Sequence, residues 1–372
     1  MNKTELTKLN VGYNLDWLMN LDPRGYGVCR ILYDGAIKYT GKPLSLNGAE
    51  GLVKNIKKGE KVFILTGFIL LPWNEAETDG IISSTVFARF VIRAFGAKPV
   101  MLVPEQCEKA IKAMSEVLGV NVTYDIDNIP DNTICIVSFT KDKNKEEEQT
   151  QEILSHGLPC AVISNEAPGR NKNGYYHNAV GVNTTDIEAK YDVLFRECQS
   201  RGIYNLSIGD LGNELGMGTI EKHIRKYVPY AEKGGCKAGT GFGILADTAA
   251  DNIITATVSD WGMNALMACT AFLLNDLDLF HTEKEEAAVM DAAAKAGMLD
   301  MYGEARPYID GIGKNIVLPI ISLMRGLIEY PHTVEDKTDK WFETRIKKGY
   351  FKWFIHFCKT ATALLPCNLK MK

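Results

Sequence analysis

The stretch "KVFILTGF" (61–68) is a continuous apolar run rich in Val, Ile and Phe. Helix-compatible segments separate it from similar runs further along the chain. Five such runs follow: "PVMLV" (99–103), "TICIVSF" (133–139), "PCAVIS" (159–164), "YNLSIG" (204–209) and "NIITATV" (252–258). Continuous apolar strands that alternate with helices predict an α/β fold, a mostly parallel sheet with helices on both faces. In such a sheet, ligands lie beyond the carboxyl ends of the strands.

The pattern turns helical from about residue 262 onward. We predict one α/β domain over residues 1–335, with a helical C-terminal portion, and a basic, aromatic C-terminal extension over 336–372. Its stretch 341–372 has an untidy amphipathic pattern, which favours a tail packed on the core over a membrane-surface helix.

Composition argues against several classes of protein. The chain is 46% hydrophobic and 24% charged, with a net charge of −4, which is typical of a globular protein and gives no sign of a nucleic-acid partner. Nine cysteines without CxxC spacing indicate a reducing compartment. The sequence shows no signal peptide and no run long enough for a transmembrane segment. We therefore predict a cytoplasmic protein, and its oligomeric state stays open.

The first polar cluster follows the opening strand. It joins Thr66 and Gly67 to "NEAETDG" (74–80), which ends where a helix begins. Glu77 and Asp79 lie beside that helix N-terminus, where carboxylates cap free N–H groups. A capping role alone is one interpretation of these acids, and a place in a ligand site is the other.

The second cluster, "SNEAPGRNKNGYYHNAVG" (164–181), follows the strand "PCAVIS". Glu166 and Arg170 flank a Pro-Gly turn, so the segment is predicted to be a loop. The planar guanidinium of Arg170 suits bidentate capture of a carboxylate. Tyr176, with its neighbours, adds hydrogen-bonding groups. The alternative is a surface loop with a local ion pair.

The third cluster, "SIGDLGNELGMG" (207–218), matches neither the dinucleotide fingerprint nor the P-loop. Gly209 and Gly212 free the backbone, so that Asp210, Asn213 and Glu214 can face one ligand. Two carboxylates and an amide can bind an ammonium group, hold a metal ion, or act as acid and base. A glycine-rich turn with capping acids is the alternative.

The fourth cluster, "TVSDWGMNAL" (257–266), begins a helix after the sixth strand. Ser259 and Asp260 are natural N-cap residues, which by itself accounts for both. No nucleophile elbow and no HExxH spacing occurs in the chain.

Taken in order, these clusters resemble the D-glutamate cyclase family, specifically its C-terminal domain. The family carries motifs of the type "ETDGPPGA", "IERPGR" followed by "YY", "GDGGNEIGMG" and "VSNWGGYAL". The matching stretches here are "ETDGIISS" (77–84), the 164–181 loop, "GDLGNELGMG" (209–218) and "VSDWGMNAL" (258–266), with a further "YIDGIG" at 308–313. The resemblance runs from about residue 10 to 330.

The sequence departs from the family motifs at several positions. The departures are Ile81, Ile82, Ser83, Leu211, Asp260 and Met263. They leave open a diverged paralogue that acts on another amino acid or carboxylate.

The resemblance implies a lyase that reversibly dehydrates D-glutamate to 5-oxo-D-proline. Arg170 is then expected to clamp a carboxylate, and Asp210 with Glu214 to receive the ammonium and its proton. Asn213 and glycine N–H groups serve as oxyanion donors, and Glu77 with Asp79 as a second acid pair. No cofactor is required by the sequence. A noncatalytic amino-acid-binding protein, or a metal-dependent lyase or hydrolase with Asp210 and Glu214 as ligands, remains as an alternative.

Overall fold

The computed structural model describes residues 3–232, 235–333 and 343–349. Its main sheet has seven strands, all parallel, in the order β5-β6-β4-β1-β7-β8-β9. These strands are β1 (Lys61–Leu65), β4 (Lys98–Val103), β5 (Asn121–Thr123), β6 (Thr133–Ser138), β7 (Ala161–Asn165), β8 (Tyr204–Gly209) and β9 (Asn252–Thr255). Two small antiparallel pairs are β2 (Ile69–Leu70) with β3 (Glu75–Ala76), and β10 (Tyr308–Ile309) with β11 (Ile312–Gly313).

Helices cover the sheet on both faces. They are α1 (Lys3–Met19), α2 (Val28–Thr40), α3 (Leu44–Asn55), α4 (Ile81–Phe95), α5 (Glu108–Val117), α6 (Glu146–Ser155), α7 (Asp192–Ser200), α8 (Glu221–Tyr227), α9 (Ser259–Leu274), α10 (Glu283–Ala296) and α11 (Lys314–Thr333). The α/β prediction is confirmed. Each of the six predicted strands forms because its apolar run is buried beneath helices, as in β1, where Val62 to Leu65 have no exposed surface.

The direction in which successive strands are added to the sheet reverses at its centre. From β1 the chain passes through α4 to β4 on one side, and from β6 it returns through α6 to β7 on the other side of β1. Right-handed crossovers in opposite directions put α4 and α6 on opposite faces. The carboxyl ends of β1 and β7 therefore flank a topological switch point, where ligands bind in open α/β sheets.

The N-terminal helices were not predicted from the sequence. Helices α1 and α3 pack against α9, and the connection between α1 and α2 reaches the carboxyl edge of the sheet through Arg24. Most of the predicted extension at 336–372 lies outside the described residues, so the domain boundary and the packed tail stay predictions. Within the part of the chain that is described, no helix combines the length and apolar character needed to span a membrane.

Candidate active site

Carboxylates from three of the four predicted clusters converge at the carboxyl edge of the sheet. One oxygen from each of Glu166, Asp210 and Glu214 lies within 4.8 Å of the other two. The same holds for Asp79, Asp210 and Asp310. We call these five residues the acid cluster. Asp210 belongs to both groups because it directly follows β8, which lies next to β7.

The acid cluster is buried and short of positive charge. Glu166 and Asp310 are its most exposed members, at 7% and 6%. Burial raises the pKa of Asp210 well above its usual value, and Glu166, Asp310, Asp79 and Glu214 raise it further. Burial and the neighbouring Glu214 and Asp79 do the same to the pKa of Glu166. Such a group of acids favours a bound cation or retained protons.

Glu214 shapes the loop that carries Asp210. Its Oε1 accepts hydrogen bonds from the backbone N–H groups of Asp210 (3.1 Å) and Leu211 (2.7 Å), and its Oε2 accepts one from Gly212 (2.7 Å). Gly212 has a φ of 95°, as its position in the sequence predicted for this turn. At Gly209, a Cβ would lie 2.7 Å from the Glu214 carboxylate. Glu214 therefore holds the turn in place through both of its oxygens.

Two buried acceptor oxygens of the same loop have no hydrogen-bond partner among the described residues. These oxygens are Asp210 Oδ1 and Asn213 Oδ1. The Asn213 Nδ2 donates to the carbonyl of His177 at 3.0 Å, which fixes the orientation of the amide. Because unpaired buried acceptors are costly, these two oxygens are the natural contacts for a donor or cation.

Asp79 and Asp260 cap each other's helices. Asp79 Oδ1 accepts from the N–H of Asp260 at 2.9 Å, and Oδ2 accepts from the N–H of Ser259 at 3.2 Å, at the start of α9. Asp260 Oδ1 accepts from the N–H groups of Gly80 (2.9 Å) and Ser83 (3.1 Å), at the start of α4. Both acids therefore cap helix N-termini, but not those that the sequence predicted: Asp79 caps α9 and Asp260 caps α4.

Departures from the family motifs have local structural explanations. The Ser83 hydroxyl donates to Asp260, so these two departures contact each other across 177 residues. Ile81, Ile82 and Met263 have no exposed surface and pack in the apolar core. These five positions therefore change packing and helix capping, and Asp260 adds a buried carboxylate whose Oδ2 has no hydrogen-bond partner among the described residues.

Glu166 has a strained backbone that the neighbouring loops hold. Its φ is 46°, unusual for a residue with a side chain. The N–H of Gly67 donates to its carbonyl at 3.1 Å, and the Ser259 hydroxyl donates to its carboxylate. A Cβ at Gly80 would lie 2.4 Å from the Cβ of Glu166, which explains the glycine there. Such strain is typical of functional sites.

Thr66 and Glu77 border the acid cluster. Thr66 Oγ1 is buried without a protein partner, while its carbonyl accepts from the Tyr191 hydroxyl at 2.8 Å. Burial raises the pKa of Glu77 well above its usual value, and so do the charges of Asp310 and Asp79. Burial and these neighbouring charges therefore both favour the protonated form of Glu77.

Arg24 is a positively charged residue at the acid cluster, and sequence reasoning missed it. Its Nη2 donates to the carbonyl of Thr257 at 2.7 Å, its Nη1 donates to the Asp310 carboxylate, and its Nε is buried without a protein partner. Burial opposes its charge, but Asp310, Asp210 and Asp79 together raise its pKa. No local motif marks Arg24, whereas Asp310 stands in the "YIDGIG" stretch.

Arg170 and Tyr176 lie in a different set of contacts. Arg170 Nη1 donates to both oxygens of Glu146, at 2.7 and 3.0 Å. The Tyr176 hydroxyl donates to Asp192 at 2.6 Å, and Lys190 lies over the Tyr176 ring. We call these five residues the paired network. Both side chains have protein partners. The carboxylate clamp at Arg170 and the substrate contact at Tyr176 stay predictions.

Comparison with known proteins identifies the family. A model of the family described as "D-glutamate cyclase-like, C-terminal" matches residues 15–324. The chain belongs to the D-glutamate cyclase-like family. It is also 32% identical over 114 residues to "D-glutamate cyclase, mitochondrial" of Homo sapiens, an alignment that covers 30% of this chain and 17% of the human protein. The matched region of the family model contains the whole acid cluster, and also Arg24.

Proposed function

We propose that this member of the D-glutamate cyclase-like family is a lyase that reversibly dehydrates D-glutamate to 5-oxo-D-proline. One observation carries the proposal beyond family membership. Five buried carboxylates meet at the switch point of the sheet, with Arg24 as the neighbouring cation. A substrate that brings an ammonium group supplies positive charge where the protein has too little.

The reaction needs the ammonium to lose two protons, one before and one after the nitrogen attacks the γ-carboxyl carbon, and one carboxyl oxygen to gain two protons and leave as water. Asp210 is suited to hold the ammonium and accept its proton, since its Oδ1 is unpartnered. Glu77, whose pKa is raised by burial and by the charges of Asp310 and Asp79, is suited to protonate the leaving oxygen. The free Nε of Arg24 is suited to contact the carboxylate that does not react. Holding the substrate folded supplies proximity for ring closure.

A divalent cation at the same site is the second candidate. Asp210 belongs to both groups of three acids, with Glu166 in one and Asp310 in the other, and its unpartnered Oδ1 fits a hard oxygen ligand. Glu214 and Asp79 are less suited, because both of their oxygens accept backbone hydrogen bonds. A cation bound here would supply Lewis-acid polarisation of the reacting carboxylate.

The test is to incubate the purified protein with D-glutamate and, separately, with 5-oxo-D-proline, and to follow both by chromatography. Each reaction is run as purified, with EDTA, and with Mg²⁺ or Mn²⁺ restored. Interconversion that survives EDTA supports the metal-free lyase, and loss of turnover with recovery on adding metal supports the second candidate. Binding of D-glutamate without conversion in any arm would leave a noncatalytic binding protein and contradict the proposal.

A further inference from the structure

Four buried polar residues on α9, on α10 and just before α10 are not used by the proposed chemistry. We call them the polar track: Asp260, Asn264, His281 and Glu286. Asp260, Asn264 and Glu286 have no exposed surface, and His281 is 1% exposed. Asp260 and Asn264 stand one turn apart on α9, Glu286 is on α10, and His281 precedes α10.

Each residue of the polar track keeps polar atoms without a protein partner. The unpartnered atoms are Asp260 Oδ2, Asn264 Oδ1 and Nδ2, Glu286 Oε1 and His281 Nδ1. One bond inside the track is formed, between His281 Nε2 and Glu286 Oε2 at 2.7 Å. Five unpaired atoms on four buried residues is unusual, because buried polar groups are paired by protein or by ordered water in almost every case.

The polar track runs from the acid cluster towards the surface. At its inner end, the backbone N–H of Asp260 donates to Asp79, and the Asp260 side chain lies close enough to Glu286 for that charge to raise its pKa. At its outer end, His281 is near Glu283, which lines a surface depression together with Leu318, Pro319, Ser322 and Leu323.

The donor groups near the polar track already bond to other atoms. Arg89 on α4 pairs with Glu285 at 2.6 Å. Arg325 on α11 donates to the carbonyl groups of Phe280 and His281. Ser83 on α4 donates to the other oxygen of Asp260. These groups face the polar track from α4, α10 and α11, and they leave its five atoms unpaired.

We propose that the polar track binds a chain of ordered water molecules that links the acid cluster to the surface beside α10 and α11. Water is the ligand because each atom needs one small partner that can both donate and accept, and the atoms offer carboxylate, amide and imidazole groups together. If the proposed dehydration holds, this chain provides an exit for the water that ring closure releases. The occupancy by water stands on the unpartnered atoms alone and does not depend on the reaction.

A crystal structure of the wild-type protein that resolves ordered water tests the occupancy. We expect water within hydrogen-bond distance of Asp260 Oδ2, Asn264, Glu286 Oε1 and His281 Nδ1. Side chains that bond directly to one another, or a region without water density, would overturn the proposal. This result is independent of whether D-glutamate is the substrate.

Asn264→Leu gives a second readout, because leucine keeps the approximate size of the side chain and removes both polar atoms. With water bound, the variant loses those hydrogen bonds, so we expect its Tm to fall by about 2 °C or more. In a dry region it removes an unpaired amide, and a rise in Tm would contradict the proposal. Thr270→Val is the matched control on the same helix, since the Thr270 hydroxyl bonds only to the carbonyl of Leu266. We further expect kcat of Asn264→Leu for D-glutamate to fall about 10-fold with KM unchanged. A wild-type protein without turnover would contradict the proposed function, but it would not affect the test of water occupancy by crystallography.

Discussion

The acid cluster and the paired network both bury carboxylates, but of the two only the acid cluster leaves a buried carboxylate oxygen without a hydrogen-bond partner among the described residues. In the paired network, Arg170 takes both oxygens of Glu146, and Tyr176 donates to Asp192. In the acid cluster, the neighbouring carboxylates raise the pKa of Asp210, which keeps an unpartnered oxygen. Buried charge with its own partners indicates architecture, whereas buried charge without them indicates a ligand.

Replacing Asp210 with Asn should have the largest effect on function. The variant keeps the shape of the side chain but removes the charge that is proposed to receive the ammonium. We expect turnover of D-glutamate to fall by about 100-fold or more, as for the loss of a general base, without a lower Tm. Rates by chromatography and melting curves measure the two effects. Full activity in Asp210→Asn would remove the acid cluster from the reaction.

Asp192→Asn is the matched change in the paired network, and it should lower stability while leaving turnover nearly unchanged. Asp192 is fully buried and accepts from the Tyr176 hydroxyl at 2.6 Å and from the N–H of Arg170. Losing its charge should lower the free energy of unfolding by about 1–3 kcal/mol, measured by denaturant titration, with turnover changed by less than about 3-fold. A large loss of turnover in a stable Asp192→Asn protein would erase the distinction between the two regions.

The pH dependence of stability should expose the crowded charges. Asp210 has a folded-state pKa raised well above 3.8, mainly by burial and then by neighbouring carboxylates. The folded protein therefore holds this proton more tightly than the unfolded chain, so stability falls as pH rises from 3.8 through the folded-state pKa. Asn has no such proton. The Tm is measured in EDTA and without substrate. We expect the Tm of Asp210→Asn to exceed that of the wild type by more at pH 8 than at pH 5. An equal difference at both pH values would argue against crowding of carboxylates around Asp210.

The smallest effect is expected from Asp260→Asn, which restores the residue of the family motif. An asparagine Oδ1 can still accept from the N–H groups of Gly80 and Ser83 and from the Ser83 hydroxyl. We expect turnover within about 2-fold of the wild type and a change in unfolding free energy below about 1 kcal/mol. Loss of folded protein in expression trials would show that the charge of Asp260 is essential at the α4 N-terminus.

Six of the seven main strands could be predicted because a parallel strand that is buried on both faces has a continuous apolar sequence, as in β1. The strand β5 (Asn121–Thr123) was missed because it is short and partly exposed at the edge of the sheet. The helices α1 to α3 precede the first strand and carry no motif, so their packing could not be predicted. The convergence of Glu166 and Asp210 followed from their places after neighbouring strands.

The remaining parts of the site depend on long-range contacts. Arg24 and Asp310 meet across 286 residues, and neither spacing nor composition connects them. The exchange of caps between Asp79 and Asp260 depends on how α4 and α9 pack, which no single stretch determines. Arg170 lay in a loop that was correctly placed after β7, yet its partner Glu146 is on α6, where only the tertiary structure brings it close.

Calorimetric titration of D-glutamate tests most directly the claim that the acid cluster, and not the paired network, receives the substrate. The comparison uses the wild type, Asp210→Asn and Arg170→Lys. We expect Asp210→Asn to raise the Kd about 10-fold or more, since a charged hydrogen bond is lost, and Arg170→Lys to stay within about 2-fold because its guanidinium serves Glu146. Unchanged affinity in Asp210→Asn together with lost affinity in Arg170→Lys would contradict the account and return the clamp to Arg170.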